Sequence, residues 1–350
     1  MEDLYKNYSN SFRKAVDSVF GDEYPEMADQ LRANVSRFSA YKANYVRQAF
    51  DDNARQFSGK DLDEANKATI NQFRRWTDAE LTTAGARART AKQFTEFNEP
   101  DRRELFPCLK WLPSRAVNPR QSHMRFYNRV WRKDDTFWDN NAPGTEWNCM
   151  CDIEECDDQP TDNSKVKQPD IPKGLEGNPS VTGEIFTDKA SYIAKAGQNR
   201  KERNAVELKC ESVSKITASQ MAKDTLLNTK SECKINGEEF VVEFISRGID
   251  HYARDTFGEK DIFWLKNEIL PHIDQYIKEA KCVGRKISDT THNTNKRTLQ
   301  LKKQTDYFYY FEITLPNKRN VYLHLGRFRE SQNLYLYTVT KKTPKEMEEL

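Results

Sequence analysis

The chain has 350 residues, with 56 Lys or Arg against 54 Asp or Glu, and a net charge of +2 says little about its partners. Hydrophobic content of 37% beside a charged fraction of 31% fits an elongated or helical chain with much surface, or one with a disordered linker, and the length predicts about two domains. No apolar run approaches the roughly 20 residues of a membrane span, and the opening MEDLYKNYSNSFRKAVDSVF predicts no secretory signal, so the seven irregularly spaced Cys are expected as reduced thiols in a cytoplasmic compartment.

Residues 1–99 predict helices. Phe12, Val16, Val19 and Phe20 form one apolar stripe. After Tyr24 and Pro25 a second stripe runs through Met27, Leu31, Val35, Phe38, Tyr45 and Ala49 at three-, four- and seven-residue steps. A third helix begins over Asp61 to Phe73, and Ala79 to Phe97 is rich in Ala, Thr and Arg. These stripes read as the core of a bundle.

The segment from Phe106 to Cys156 holds four of the six Trp, four of the seven Cys and one of the five His. Prolines 107, 113, 119 and 143 forbid a long helix through it. So long a loop needs pinning against its ordering entropy. Packed rings supply one pin. A metal supplies another: His123, Cys149 and Cys151, with Cys156 or Cys108 as a fourth ligand, offer the thiolate and imidazole mixture that zinc accepts. The Cys-x-Cys spacing is not the usual Cys-x2-Cys knuckle. The same residues also read as small buried thiols beside a hydrogen-bonded structural His.

Arg120-x-x-His123, then Asp134-Asp135-x-Phe137-Trp138, then Pro143-Gly144-x-x-Trp147-Asn148-Cys149-x-Cys151 resembles the signature of phage Mu F-like minor head proteins. Met150 stands between the cysteines where that family usually shows Arg. The resemblance implies a helical domain over residues 1–156 that joins portal and capsid proteins in head assembly. It also implies a place in the virion head or the bacterial host cytoplasm.

Residues 157–185 carry four Pro, three Gly and few large apolar groups, which predicts an extended linker. Residues 186–350 predict an α+β domain with an antiparallel sheet. Ile216 to Leu227 is a short helix, and Asn236-Gly237 turns a hairpin. Phe240 to Ile245 is a strand, and Asp261 to Ala280 is an amphipathic helix kinked at Pro271. Tyr307 to Leu315, Asn320 to Arg327 and Asn333 to Thr340 are the closing strands.

From Arg285 to Leu350 there are thirteen Lys or Arg against seven Asp or Glu, interleaved with Tyr residues. Cations for phosphates beside rings for bases suit RNA, and a solvated sheet face gives the same composition. His251, with Arg247 and Arg254 nearby, is the candidate for proton transfer at a 2′-hydroxyl, the arginines holding the phosphate. His292 and His324 are further candidates.

Strand, Gly248-Ile249-Asp250-His251, long helix and basic meander, over about residues 230–342, resemble the Barnase–EndoU–colicin–RelE-like nucleases. The resemblance implies a metal-independent RNase toxin, with RNA as substrate and an immunity protein as partner. His251 would be catalytic, with Arg247 or Arg254 on the phosphate. Thr338 or Thr340 would match the Ser/Thr of the last strand, and Lys296, Arg297 or Arg327 would complete the site with Tyr335 among the base-stacking rings. The rival expectation is a structural head protein whose C-terminal domain binds nucleic acid or another head protein without catalysis.

Overall fold

The computed structural model describes the chain apart from residues 198–199, 255–259 and 292–295 and the side chains of 197, 200–204, 207, 208, 260, 261 and 296–298. It has two compact units, Met1–Cys210 and Glu211–Leu350.

The first unit opens with α1 (Glu2–Phe20), α2 (Pro25–Gln56) and α3 (Gly59–Phe97). Gly21, at φ 54°, lets the chain leave α1, and Pro25 sits in the first turn of α2, where no backbone donor is lost. The apolar stripes meet as expected: Phe12, Val16, Leu31, Val35 and Phe38 are all buried, and the Phe12 and Phe38 rings pack edge to face at 5.5 Å. The two segments expected between Asp61 and Phe97 run as one 39-residue helix.

Next come α4 (Pro100–Leu105), β1 (Cys108–Leu112), α5 (Gln121–Met124), β2 (Val130–Arg132), α6 (Phe137–Asn141) and β3 (Asp152–Cys156). The expected irregular loop is therefore organised on a three-stranded antiparallel sheet, in the order β2-β1-β3. Its pins are rings. Trp111, Phe126, Trp131, Phe137 and Trp138 are buried together, with Trp131 stacked on Phe137 at 4.0 Å.

The stretch expected as a linker over 157–185 is instead part of the first unit. It contains α7 (Pro179–Thr182) and is followed by α8 (Ser191–Gly197). Leu175, Ile185 and Phe186 are fully buried, and Phe186 stacks on Phe38 at 4.0 Å. Arg87, itself buried, donates to the carbonyls of Leu175 at 2.9 Å, Gly177 at 3.0 Å and Glu184 at 3.1 Å. Asn34 accepts from the backbone N–H groups of Ile185 and Phe186 and donates to the Phe186 carbonyl. A Pro- and Gly-rich segment orders here because distant side chains satisfy its backbone. The division of the chain falls instead within α9 (Arg200–Leu226).

The second unit carries β4 (Lys230–Ile235), β5 (Glu238–Glu243), α10 (Ser246–Arg254), α11 (Lys260–Ile269), α12 (Ile273–Glu279), β6 (Lys281–Ile287), α13 (Lys296–Lys303), β7 (Thr305–Thr314), β8 (Asn320–Phe328), β9 (Leu334–Thr340) and β10 (Glu348–Glu349). The Asn236-Gly237 turn is present, with φ of 50° and 86°, and Pro271 breaks the expected helix into α11, a 3-10 turn and α12. The sheet order is β10-β6-β7-β8-β9-β5-β4. The expected antiparallel sheet is mixed, because β5 and β9 pair in parallel. On β8 and β9, His324 faces Thr338 and Leu325 faces Leu336, so Tyr337 is an extra, bulged residue.

Candidate metal centre and candidate catalytic cluster

Three of the signature residues converge. The ligand atoms of His123, Cys149 and Cys151 all lie within 4.8 Å of one another, and all three residues are buried. Local structure explains the convergence. The Thr90 hydroxyl donates to the Pro143 carbonyl at 2.8 Å, and the Asn148 N–H donates to the Thr83 hydroxyl at 3.0 Å. Gly144, at φ 88°, lies so close to Arg87 that a Cβ there would overlap its side chain. Helix α3 thus clasps the turn that leads into the cysteines. Backbone alternation does the rest: Cys149 and Cys151 are 3% and 6% exposed, whereas Met150 between them is 45% exposed.

Both sulfurs stand 3.5 Å from His123 Nδ1. Zinc bonds of ~2.3 Å to sulfur and ~2.0 Å to nitrogen put those two atoms roughly 3.5 Å apart across a tetrahedral edge. The other ring nitrogen, Nε2, lies 3.2 Å from Glu146 Oε1, and Arg120 and Ser122 hold that carboxylate at 3.0 and 3.1 Å. An acid on the far nitrogen turns Nδ1 towards the thiols, the arrangement that orients ligating histidines. The thiols share a proton unequally. The Cys151 thiol and then His123 hold Cys149 well below the usual thiol range, while the bond to Cys149 and burial push Cys151 up. Trp111 Nε1 and the Tyr127 hydroxyl are buried beside Cys151, where both lie close enough to act on its sulfur. A metal-bound thiolate at Cys151 would be an acceptor for such donors. The donor set and its spacing fit a bound metal ion.

Cys156 does not join this cluster. It pairs with Cys108 across β1 and β3, so neither supplies the expected fourth ligand. Glu146 and Trp111 are the residues that sequence reasoning missed. An acid is the usual companion of a ligating imidazole, and the Trp147-Asn148-Cys149 run that marks the loop begins one residue after Glu146.

In the second unit, α10 carries His251. Arg247, His251 and Arg254 recur at steps of four and three, which places them on one stripe of that helix. Arg247 is exposed, and Arg254 lies 4.0 Å from Asp250, which is also held by Lys223 and Ser219 at 2.6 Å. The His251 ring stacks on Tyr337 at 4.1 Å. The bulge at Tyr337 thus presents its ring to the helix.

His324 is the second imidazole of this region. Its Nε2 is 2.8 Å from the Thr340 hydroxyl, which donates its proton to the Lys342 carbonyl at 2.9 Å. With that proton committed, His324 Nε2 must be the donor, and the ring is the Nε2–H tautomer. Burial, and then the charge of His251, pull the His324 pKa down to about 3. His324 is therefore neutral at physiological pH.

The other expected site residues are distributed differently. Thr338 is buried opposite His324, and Thr340 makes the imidazole contact instead. Tyr335 is fully buried, with its hydroxyl 2.7 Å from that of Thr305, so it cannot stack on a base. Arg327 is tied to Asp306 by bonds of 2.6, 3.0 and 3.1 Å, which fixes its guanidinium on the protein. The side chains of Lys296 and Arg297, and all of His292, lie outside the described residues. Among the described residues no helix is long and apolar enough to cross a membrane. No protein-family model, curated protein or solved structure matches the chain.

Proposed function

We propose that the chain is a minor head protein of a phage or prophage, acting between portal and capsid, with a C-terminal unit that cleaves RNA. The observation that carries the head reading is the connectivity of the signature. Arg120, Glu146, His123, Cys149 and Cys151 form one continuous chain of contacts inside a helical unit. Zinc is the ion proposed there, because two thiolates and an imidazole suit it better than Mg²⁺ or Ca²⁺. It would act as a structural staple for the aromatic loop. Co-expression of the full chain with portal and capsid proteins from the same genome tests this reading. Co-purification with the portal is expected, and its loss in His123→Ala. Assembly of normal heads without the protein would remove the reading.

The RNase reading is supported by His251 and His324 lying close enough to interact electrostatically, beside Thr340 and a bulge that meets α10. In it, His251 takes the proton of a 2′-hydroxyl as the 2′-oxygen bonds to phosphorus. The bond to the 5′-oxygen breaks, that oxygen takes a proton from water while His251 releases its own to solvent, and a 2′,3′-cyclic phosphate is left. Arg247 faces the phosphate charge. A second reading, a C-terminal unit without chemistry, is favoured by the burial of Thr338 and the neutralised Arg327. Bacterial expression of the full chain separates the two. Growth arrest and RNA fragments ending in cyclic phosphate are expected for the wild type and absent for His251→Ala. Equal growth and intact RNA in both would leave the second reading.

A further inference from the structure

A cavity of about 580 Å³ opens in the first unit, bordered by α2, α3, α8 and the 172–173 strip. Neither the metal centre nor the His251 cluster uses it. Its walls are rings: Phe38, Trp76, Trp147 and Tyr192. Trp76 is 39% exposed, unusual for so large an apolar side chain. At the interior end, Glu80 accepts from Lys42 Nζ at 2.5 Å and from the Tyr192 hydroxyl at 2.7 Å. Lys42 is fully buried and also faces the Tyr8 and Tyr192 rings, each at 5.0 Å from the centroid.

The charges at this cavity are unevenly matched. Glu80 is already compensated by Lys42. The remaining charged groups that line it are Lys173, Lys189 and Lys195. Lys189 lies 3.5 Å from Glu176, and Lys195 donates to the Tyr45 hydroxyl at 2.8 Å. The outer part is therefore net cationic, while the walls are apolar and flat. Cavities of roughly 300–1,000 Å³ with this mix of apolar wall and few polar groups are typical of small-molecule sites. One side chain inserted by a protein partner would leave most of the volume empty.

We propose that this cavity binds a small amphipathic anion, with a flat apolar body against Trp76 and Trp147 and a carboxylate, sulfonate or phosphate on the rim lysines. The inference is independent of the head and RNase readings. The polar end of the ligand lies outward, because the inner end already holds a compensated carboxylate. An anion placed inward would face Glu80.

The test uses a matched pair of fluorescent probes and the full chain. 8-Anilinonaphthalene-1-sulfonate and neutral N-phenyl-1-naphthylamine share nearly the same rings and differ in the sulfonate. One saturable site is expected, at least tenfold tighter for the sulfonate. The double variant Lys173→Gln, Lys195→Gln is expected to weaken the sulfonate about tenfold and leave the neutral probe unchanged. Ala194→Trp, which fills the cavity from α8, is expected to abolish both. 1-Naphthoate should displace the sulfonate, and poly-glutamate should not. Cooperative melting of each variant guards against probe binding to a loosened fold. Equal affinity for the two probes, insensitivity to the lysine pair in a folded variant, or displacement only by poly-glutamate would each overturn the proposal.

Discussion

The Arg87 guanidinium donates to the carbonyl oxygen of Leu175 at 2.9 Å, across 88 residues of sequence, and from the same buried position it reaches Gly177 and Glu184. Burial pulls its pKa down to about 10, so it stays charged at neutral pH. Its counter-charge is mostly carbonyl dipoles. Arg87→Met keeps the bulk but orphans four backbone acceptors, the carbonyls of Leu175, Glu176, Gly177 and Glu184, each worth about 1–3 kcal/mol when left buried and unbonded. We expect a loss of at least about 3 kcal/mol in denaturant titration and faster protease cleavage between residues 171 and 186. An unchanged midpoint and cleavage pattern would show that Phe186 packing alone orders the strip.

The candidate metal centre gives a graded prediction. Protein purified from zinc-replete cells should carry one equivalent. Cys151→Ser and His123→Ala should lose it and melt at lower temperature, since metal binding to a site formed only in the folded chain adds to folding stability. Glu146→Gln should keep the metal at saturation but bind it roughly 10–100-fold more weakly, because Glu146 acts on His123 rather than on the ion. Competition with a chromogenic chelator reads both effects. Full metal content in Cys151→Ser would place the ion elsewhere.

Much of this architecture is legible in the sequence where the causes are local. The stripes of α1 and α2 follow from helical period, and the Asn236-Gly237 hairpin follows from residues that tolerate positive φ. The strip at 157–185 is illegible because its order comes from Arg87 and Asn34, far away in the chain. His123, Cys149 and Cys151 are recognisable by chemical type. That Cys156 faces Cys108 depends on the β1–β3 register, which composition does not encode. The basic, Tyr-rich C-terminal stretch suggests a nucleic-acid face. It cannot reveal that Asp306 ties down Arg327, or that Tyr335 points inward. His324 is easily undervalued because the groups that crowd its partly buried ring, such as Tyr310 with its ring 4.4 Å away, are not evident from the strand pattern.

His324 should make the second unit acid-sensitive. The unfolded chain binds a proton at this residue near pH 6.5, whereas the folded chain resists it down to about 3. Its folded pKa is depressed, so the unfolded state binds more protons between those values. The contribution of this group to stability is full above about pH 6.5 and is lost as pH falls towards 3, at no more than about 1.4 kcal/mol per pH unit. His324→Gln removes the titration. The wild type minus variant difference in unfolding free energy, measured from pH 7 to pH 4, should slope downward with falling pH. A flat difference would mean that the folded protein admits the proton.

Gly248 sits where α10 touches β9, and a Cβ there would overlap the Leu336 carbonyl oxygen. That oxygen is backbone, and Leu336 adjoins the bulged Tyr337, so it cannot move aside as a flexible side chain would. Helix propensity alone favours Gly248→Ala by up to about 1 kcal/mol. Overpacking against a fixed neighbour costs about 1–3 kcal/mol, so the variant should be destabilised despite the better helix former. The displacement should also part His251 from the Tyr337 ring, now at 4.1 Å. A ring stacked at that distance shifts the His251 carbon-bound proton signals upfield, and Gly248→Ala should return them towards random-coil positions. Tyr337→Leu removes the ring while leaving the Gly248 contact intact, so it should move the signals with a smaller effect on the position of α10. If Gly248→Ala leaves both the melting temperature and the His251 signals unchanged, the glycine is not what seats the helix, and His251 owes its position to other contacts.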